Sequence, residues 1–113
     1  MIERTEMKCP CCGAEWTQDN FLEKLNEAQR IAKVRFEINS GCRCPGHNEA
    51  VGGSKNSSHM LGLAADIKAA NSRTRFRIVY GLVMAGFTRF SVKVERGFIH
   101  VDLDEQKAQE VIW

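Results

Sequence analysis

Apolar residues recur along this chain at two spacings, and the change between them divides the chain into helices and strands. From residue 21 onward, Phe21, Leu22, Leu25, Ala28 and Ala32 return every three or four positions, the period of one helix face. Thr17, Gln18, Asp19 and Asn20 stand before them with helix-capping groups, and the spacing predicts a helix ending near Lys33. Arg35 to Asn39 alternates and reads as a strand. Residues 40–58 then lose all periodicity. They are rich in Gly, Ser, Asn and Cys, with room for a helical turn around His47 to Val51. A loop of that length on a small scaffold predicts function. Ala64 to Lys68 predicts a short buried strand. Asn71 and Ser72 cap a second helix with Phe76, Val79, Leu82 and Val83 as its apolar stripe, and Gly86 closes it. Thr88 to Val94 and Phe98 to Leu103 predict a β-hairpin joined through Glu95, Arg96 and Gly97.

Alternation in the last strand puts Phe98, His100 and Asp102 on one face and turns Ile99, Val101 and Leu103 into the core. Asp66 falls on a neighbouring strand, and His59 on the loop before it. Two imidazoles and one carboxylate make a three-ligand set for zinc. Zinc held by three protein ligands keeps a fourth position for water, which marks catalytic sites. A strand histidine alone is equally well read as a hydrogen-bonded surface group. The two blocks together, Ser57 to Asp66 and Phe98 to Asp102, point to a metal hydrolase.

Composition narrows the field. A chain of 113 residues, 43% hydrophobic and 27% charged, suits one globular domain with one core. A net charge of +2 gives no argument for nucleic acid. Arg73, Arg75 and Arg77 read as a solvated helix face. No apolar run approaches the roughly 20 residues of a membrane span. The charged start, Met1 to Glu6, has no apolar stretch behind it and is no secretory signal, so synthesis in the cytoplasm is expected.

Five cysteines need their own account. Cys9-x-x-Cys12 has the spacing of a zinc knuckle, and Cys42-x-Cys44 offers a second, tighter pair. An odd number cannot pair completely within one chain, and Cys11 is the expected spare, with Cys12 able to exchange roles with it. A structural zinc on Cys9, Cys12, Cys42 and Cys44, disulfides among them, and free thiols all stay open.

The pattern Ser57-x-His59-x-x-Gly62-x-x-x-Asp66, followed by a strand histidine at position 100, resembles the zinc D-Ala-D-Ala peptidase family. Its wider group includes lysostaphin-type endopeptidases and the hedgehog signalling domain. Ser40-Gly41-Cys42-Arg43-Cys44-Pro45-Gly46-His47-Asn48, Val51-Gly52-Gly53 and Asn56-Ser57 are similar to its small single-domain branch, common in bacteriophages and bacteria. The resemblance runs from the cysteine knuckle to Trp113. It implies one α+β domain over 1–113, with an antiparallel sheet carrying the zinc, two main helices and a cysteine-containing arm over 1–19.

The resemblance also implies roles. His59, Asp66 and His100 match the zinc ligands. Arg43 matches an arginine that contacts substrate and steadies the carbonyl oxygen as charge develops, a task suited to a permanently charged fork. Ser57 matches a serine near the substrate backbone, or else caps the loop. Gly62 serves backbone geometry, and His47 stays outside the site. One position departs. Many relatives carry a general-base carboxylate three residues before the last zinc histidine, where this chain has Gly97. The histidine-x-histidine variant is also missing, because Phe98 stands there. Asp102, on the face of His100, is the first candidate for the base, ahead of Glu95 in the hairpin turn. The alternatives are that Asp102 orients a zinc histidine and that Glu95 is a solvated turn residue. The implied activity is zinc-dependent cleavage of a peptidoglycan stem peptide, as a D-Ala-D-Ala carboxypeptidase or an endopeptidase. It implies one catalytic Zn2+, with room for a structural one, and action at the cell wall or periplasm. The other reading is a non-catalytic zinc-binding module that holds cell-wall peptide or a protein partner.

Overall fold

The first helical spacing becomes α1, Asp19–Ala32, in the computed structural model, which describes residues 1–113. Phe21, Leu25, Ala28 and Ala32 are fully buried along one face. Lys33 ends the helix in the left-handed conformation, φ 57°, its N–H donating to the Gln29 carbonyl. Arg77 reaches across to donate from Nε to the Ala32 carbonyl at 2.8 Å, answering one of the carbonyls a helix end leaves unpaired. One of the three clustered arginines therefore braces α1 and does not merely solvate its helix.

The second long helix spans Ser72–Met84, after the short α2, Pro45–Ala50, and is α3. Asn71 caps α3 as expected, its Oδ1 accepting from Thr74 N at 2.9 Å, and Gly86 follows at φ +92°. Its inward face is rotated from the expected stripe. Phe76 is 66% exposed and Val83 51%, whereas Ile78, Gly81 and Leu82 are buried. The reason is a close helix crossing. A Cβ on Gly81 would stand 2.4 Å from the Ala28 carbonyl oxygen and 2.8 Å from the Ala32 Cβ. The two helices meet at their smallest residues, which a count of apolar positions passes over. Gly81→Val should therefore lower stability by about 1–3 kcal/mol through overpacking, because a backbone carbonyl cannot give way. Thermal unfolding followed by circular dichroism would show a lower melting temperature; an unchanged one would refute the crossing.

Five strands form one sheet: β1 (Ile38–Ser40), β2 (Ala64–Lys68), β3 (Arg89–Lys93), β4 (Phe98–Asp102) and β5 (Val111–Ile112), in the order β1-β2-β4-β3-β5. The fold class is α+β, as expected. The sheet is antiparallel except at one edge, where β5 runs parallel to β3. The first strand starts later than alternation suggested. Phe36 is drawn fully into the core, and its N–H bonds to Gln29 Oε1 at 2.7 Å and not to a strand. The hairpin turn is a 3-10 turn, Val94–Arg96, closed by Gly97 at φ 72°.

Register decides what each face carries. Ala65, Val101 and Phe90 align across the sheet, as do Ile67, Ile99 and Val92, and these residues belong to or pack against the core. Between them runs a polar row, Ser40–Asp66–His100–Ser91, on the opposite face. No helix is long and apolar enough to cross a membrane.

Candidate metal centre

Asp66 and His100 are direct cross-strand partners, so the pairing of β2 with β4 sets their separation. His59 comes from a 3-10 turn, Ser58–Leu61, which Ser57 caps by accepting from His59 N at 3.2 Å. Gly62 closes that turn at φ 70°, and a Cβ there would stand 2.3 Å from the Trp16 carbonyl oxygen. The N-terminal arm clamps the same turn. Gln18 N donates to the Gly62 carbonyl at 2.9 Å, and Trp16 Nε1 donates to the Met60 carbonyl at 2.9 Å.

The outer partners of each imidazole fix which nitrogen faces inward. His59 Nδ1 lies 2.7 Å from the Gly41 carbonyl oxygen. A carbonyl only accepts, so Nδ1 carries hydrogen. His59 Nε2 then turns towards Asp66 Oδ1 at 3.2 Å. His100 Nε2 lies 2.8 Å from Asp102 Oδ2 and donates to it, which leaves Nδ1 facing the same Asp66 Oδ1 at 3.0 Å. In the neutral imidazoles, two lone pairs and an anionic oxygen meet with no hydrogen between them, an arrangement that calls for a cation. The donor atoms of the three residues all lie within 4.8 Å of one another. Burial pushes the Asp66 carboxyl up, but the facing His100 and His59 rings, once protonated, outweigh that and hold it well below the usual carboxylate range. Burial pushes His100 down, and Asp102 and Asp66 more than reverse it. Mixed nitrogen and oxygen donors with backed imidazoles fit zinc.

Arg43 stands beside this set with its fork engaged. Nη2 donates to Asp66 Oδ2 at 3.1 Å, Nε to Ser40 Oγ at 3.1 Å and Nη1 to Asn48 Oδ1 at 3.3 Å. The guanidinium thus orients the second oxygen of Asp66, and any contact with substrate has to share that duty. Ser57 lines the groove as well as capping its turn.

The two carboxylates expected to carry protons are placed differently. Asp102 does share the face of His100, but it is only 1% exposed and both its oxygens are occupied. Oδ2 accepts from His100, while Oδ1 accepts from Arg89 Nε at 2.7 Å and Asp104 N at 3.1 Å. Burial pushes its carboxyl up, and the His100, Arg89 and Asp104 bonds bring it below the ordinary range. Geometry therefore sets Asp102 behind His100 as its orienting partner. Glu95 is exposed on the hairpin turn and does not line the groove. His47 lies on α2 outside it, as expected.

The groove over the set has a volume of about 250 Å³, and Arg43, Arg89, Lys93 and Lys107 supply its cations. A larger groove, between the first residues and α1, holds none of this chemistry. Sequence reasoning missed Arg89 and Trp113. Arg89, Ser91 and Lys93 alternate on β3 with the period of His100, so a signal for Arg89 existed. Trp113 had none, because a two-residue parallel strand delivers it. Its ring lies 5.8 Å from that of His100, and the Arg89 guanidinium sits 4.9 Å over it.

The cysteines group differently from the expected quartet. Cys9, Cys12 and Cys44 come together, with their sulfurs within 4.8 Å of one another. Cys42 is buried elsewhere, its Sγ accepting from Trp16 N at 3.4 Å and lying 3.5 Å from Thr17 Oγ1. It fills the seam between the arm and the loop, which spacing alone could not reveal. No disulfide joins any of the five.

A family model described as Peptidase M15 matches residues 2–102, a stretch that includes His59, Asp66, His100 and every cysteine. No curated protein matches the chain.

Proposed function

The chain belongs to the peptidase M15 family, which makes it a zinc peptidase, and from that premise we propose that its metal centre cleaves a peptide bond in a peptidoglycan stem peptide. The observation that carries this reading is the meeting of His59 Nε2, His100 Nδ1 and Asp66 Oδ1 at one point. In it, those three residues hold the zinc. When bound, zinc supplies a Lewis acid that activates water and polarises the scissile carbonyl. Gly41 and Asp102 hold the imidazole tautomers, and Arg43 holds the Asp66 carboxylate. Lys93 lines the groove with no carboxylate partner of its own, and it suits a substrate that ends in a carboxylate. Arg43 adds positive charge near the reacting carbonyl, where charge develops.

One observation favours a second reading. Apart from Asp66, no carboxylate lines the groove, so no side chain there is poised as a base. A non-catalytic module that grips cell-wall peptide through zinc would need none. Mass spectrometry of muropeptides incubated with zinc-loaded protein separates the readings. Loss of one D-Ala is the expected result for a carboxypeptidase, and separated stems for an endopeptidase. Binding without turnover would replace the catalytic reading with the second.

A further inference from the structure

We propose that Cys9, Cys12 and Cys44 hold a second, thiophilic divalent cation, zinc by its chemistry, which staples the N-terminal arm to the loop carrying Arg43. The first two ligands are brought together by a tight turn. Cys9 N donates to the Ala14 carbonyl at 2.8 Å, Gly13 N donates to the Cys9 carbonyl at 2.8 Å, and Gly13 takes φ +74°. The third arrives from a loop far along the chain, and backbone N–H groups point at the sulfurs. Cys44 N lies 3.4 Å from Cys9 Sγ, and His47 N lies 3.4 Å from Cys44 Sγ. Backbone N–H groups aimed at sulfur are the outer partners that a metal-bound thiolate takes. A disulfide would consume two of the three sulfurs and strand the third, whereas a tetrahedral ion uses them all. Cys11 is exposed and stands outside the group of three, so the fourth position of a tetrahedral ion is left to a solvent ligand. Cys42, turned away towards Trp16, takes no part.

The location gives the staple a purpose. The arm it fixes carries Trp16 and Gln18, which clamp the turn bearing His59. The loop it fixes carries Arg43, the next residue to Cys44, which holds Asp66. The cation would thus brace two of the three residues at the other centre without touching it.

Cobalt(II) substitution of the reduced, full-length protein tests this, because thiolate ligands give an intense near-ultraviolet charge-transfer band that a nitrogen and oxygen site lacks. The band is expected in the wild type, in His100→Ala and in Cys42→Ser, and is expected to vanish in Cys12→Ser and Cys44→Ser. Cys11→Ser should leave it in place. Because a cysteine variant can fail to fold, the wild-type zinc protein is also titrated with a mercurial, which should release one zinc as the clustered thiols react. Absence of the band and of mercurial-released zinc in the wild type would overturn the proposal, as would loss of the band in Cys42→Ser but not in Cys12→Ser. None of these readouts depends on peptidase activity, so the proposal and the catalytic reading fail separately.

Discussion

Asp102→Asn is expected to cost the protein its catalytic zinc. The Asp102 Oδ1 position accepts from Arg89 and from Asp104 N, so the asparagine must keep its carbonyl oxygen there. Its NH2 then faces His100 Nε2, which has to accept. The hydrogen of His100 moves to Nδ1 and points at the place where Asp66 and His59 converge. A single change from oxygen to nitrogen, with no change of shape, thus flips a tautomer and puts a proton where a lone pair is needed. Loss of such outer partners lowers metal affinity by about 10- to 100-fold. Zinc affinity measured against a chromophoric chelator should fall by that amount. Activity should be poor at limiting zinc and recover as zinc is raised. If kcat instead stays about 10²-fold down with zinc fully bound, Asp102 carries the proton itself. Unchanged zinc affinity and unchanged kcat together would refute the tautomer argument. Glu95→Gln, on the exposed turn, should change neither.

His100→Ala should empty the catalytic centre and leave the fold standing. His100 is half-buried, and its removal still leaves Asp102 bonded to Arg89 and Asp104. His59→Ala should lose the same ion at a greater structural cost. His59 is 2% exposed, and its Nδ1 is a partner of the Gly41 carbonyl in the loop. Removing it opens a cavity and leaves buried polar groups short of partners, each worth about 1–3 kcal/mol. Metal analysis with melting curves separates the two effects. One zinc lost from each variant is expected, with the larger drop in melting temperature in His59→Ala. Unchanged zinc content in both would remove the assignment of the ligands.

Much of this arrangement was legible before any coordinates. The α1 stripe, the buried β2, the Asn71 cap and the alternation of β4 all rest on local periodicity, which a sequence displays directly. So does the proximity of Asp66 to His100, once two neighbouring strands are granted. What escaped depends on distance through space. The inward face of α3 is chosen by Gly81 against α1, and a glycine carries no hydrophobic signal. The departure of Cys42 from its neighbours depends on where Trp16 lies. Asp102 was placed on the correct face, yet its availability depended on Arg89 from another strand, and a single strand's pattern cannot say which lone pairs are already taken.

The position of Trp113 has a practical corollary. Its backbone carbonyl accepts from Ser91 Oγ at 2.6 Å and from Val92 N at 2.9 Å, so Trp113 is fastened to the sheet beside His100. Any chain continued past Trp113 leaves from the rim of the groove. A polyhistidine tag fused there would hold imidazoles at high local concentration over the zinc and compete with substrate. A tag at Met1, 90% exposed and lining only the other groove, carries no such penalty, and the two fusions would report different activities for one and the same enzyme.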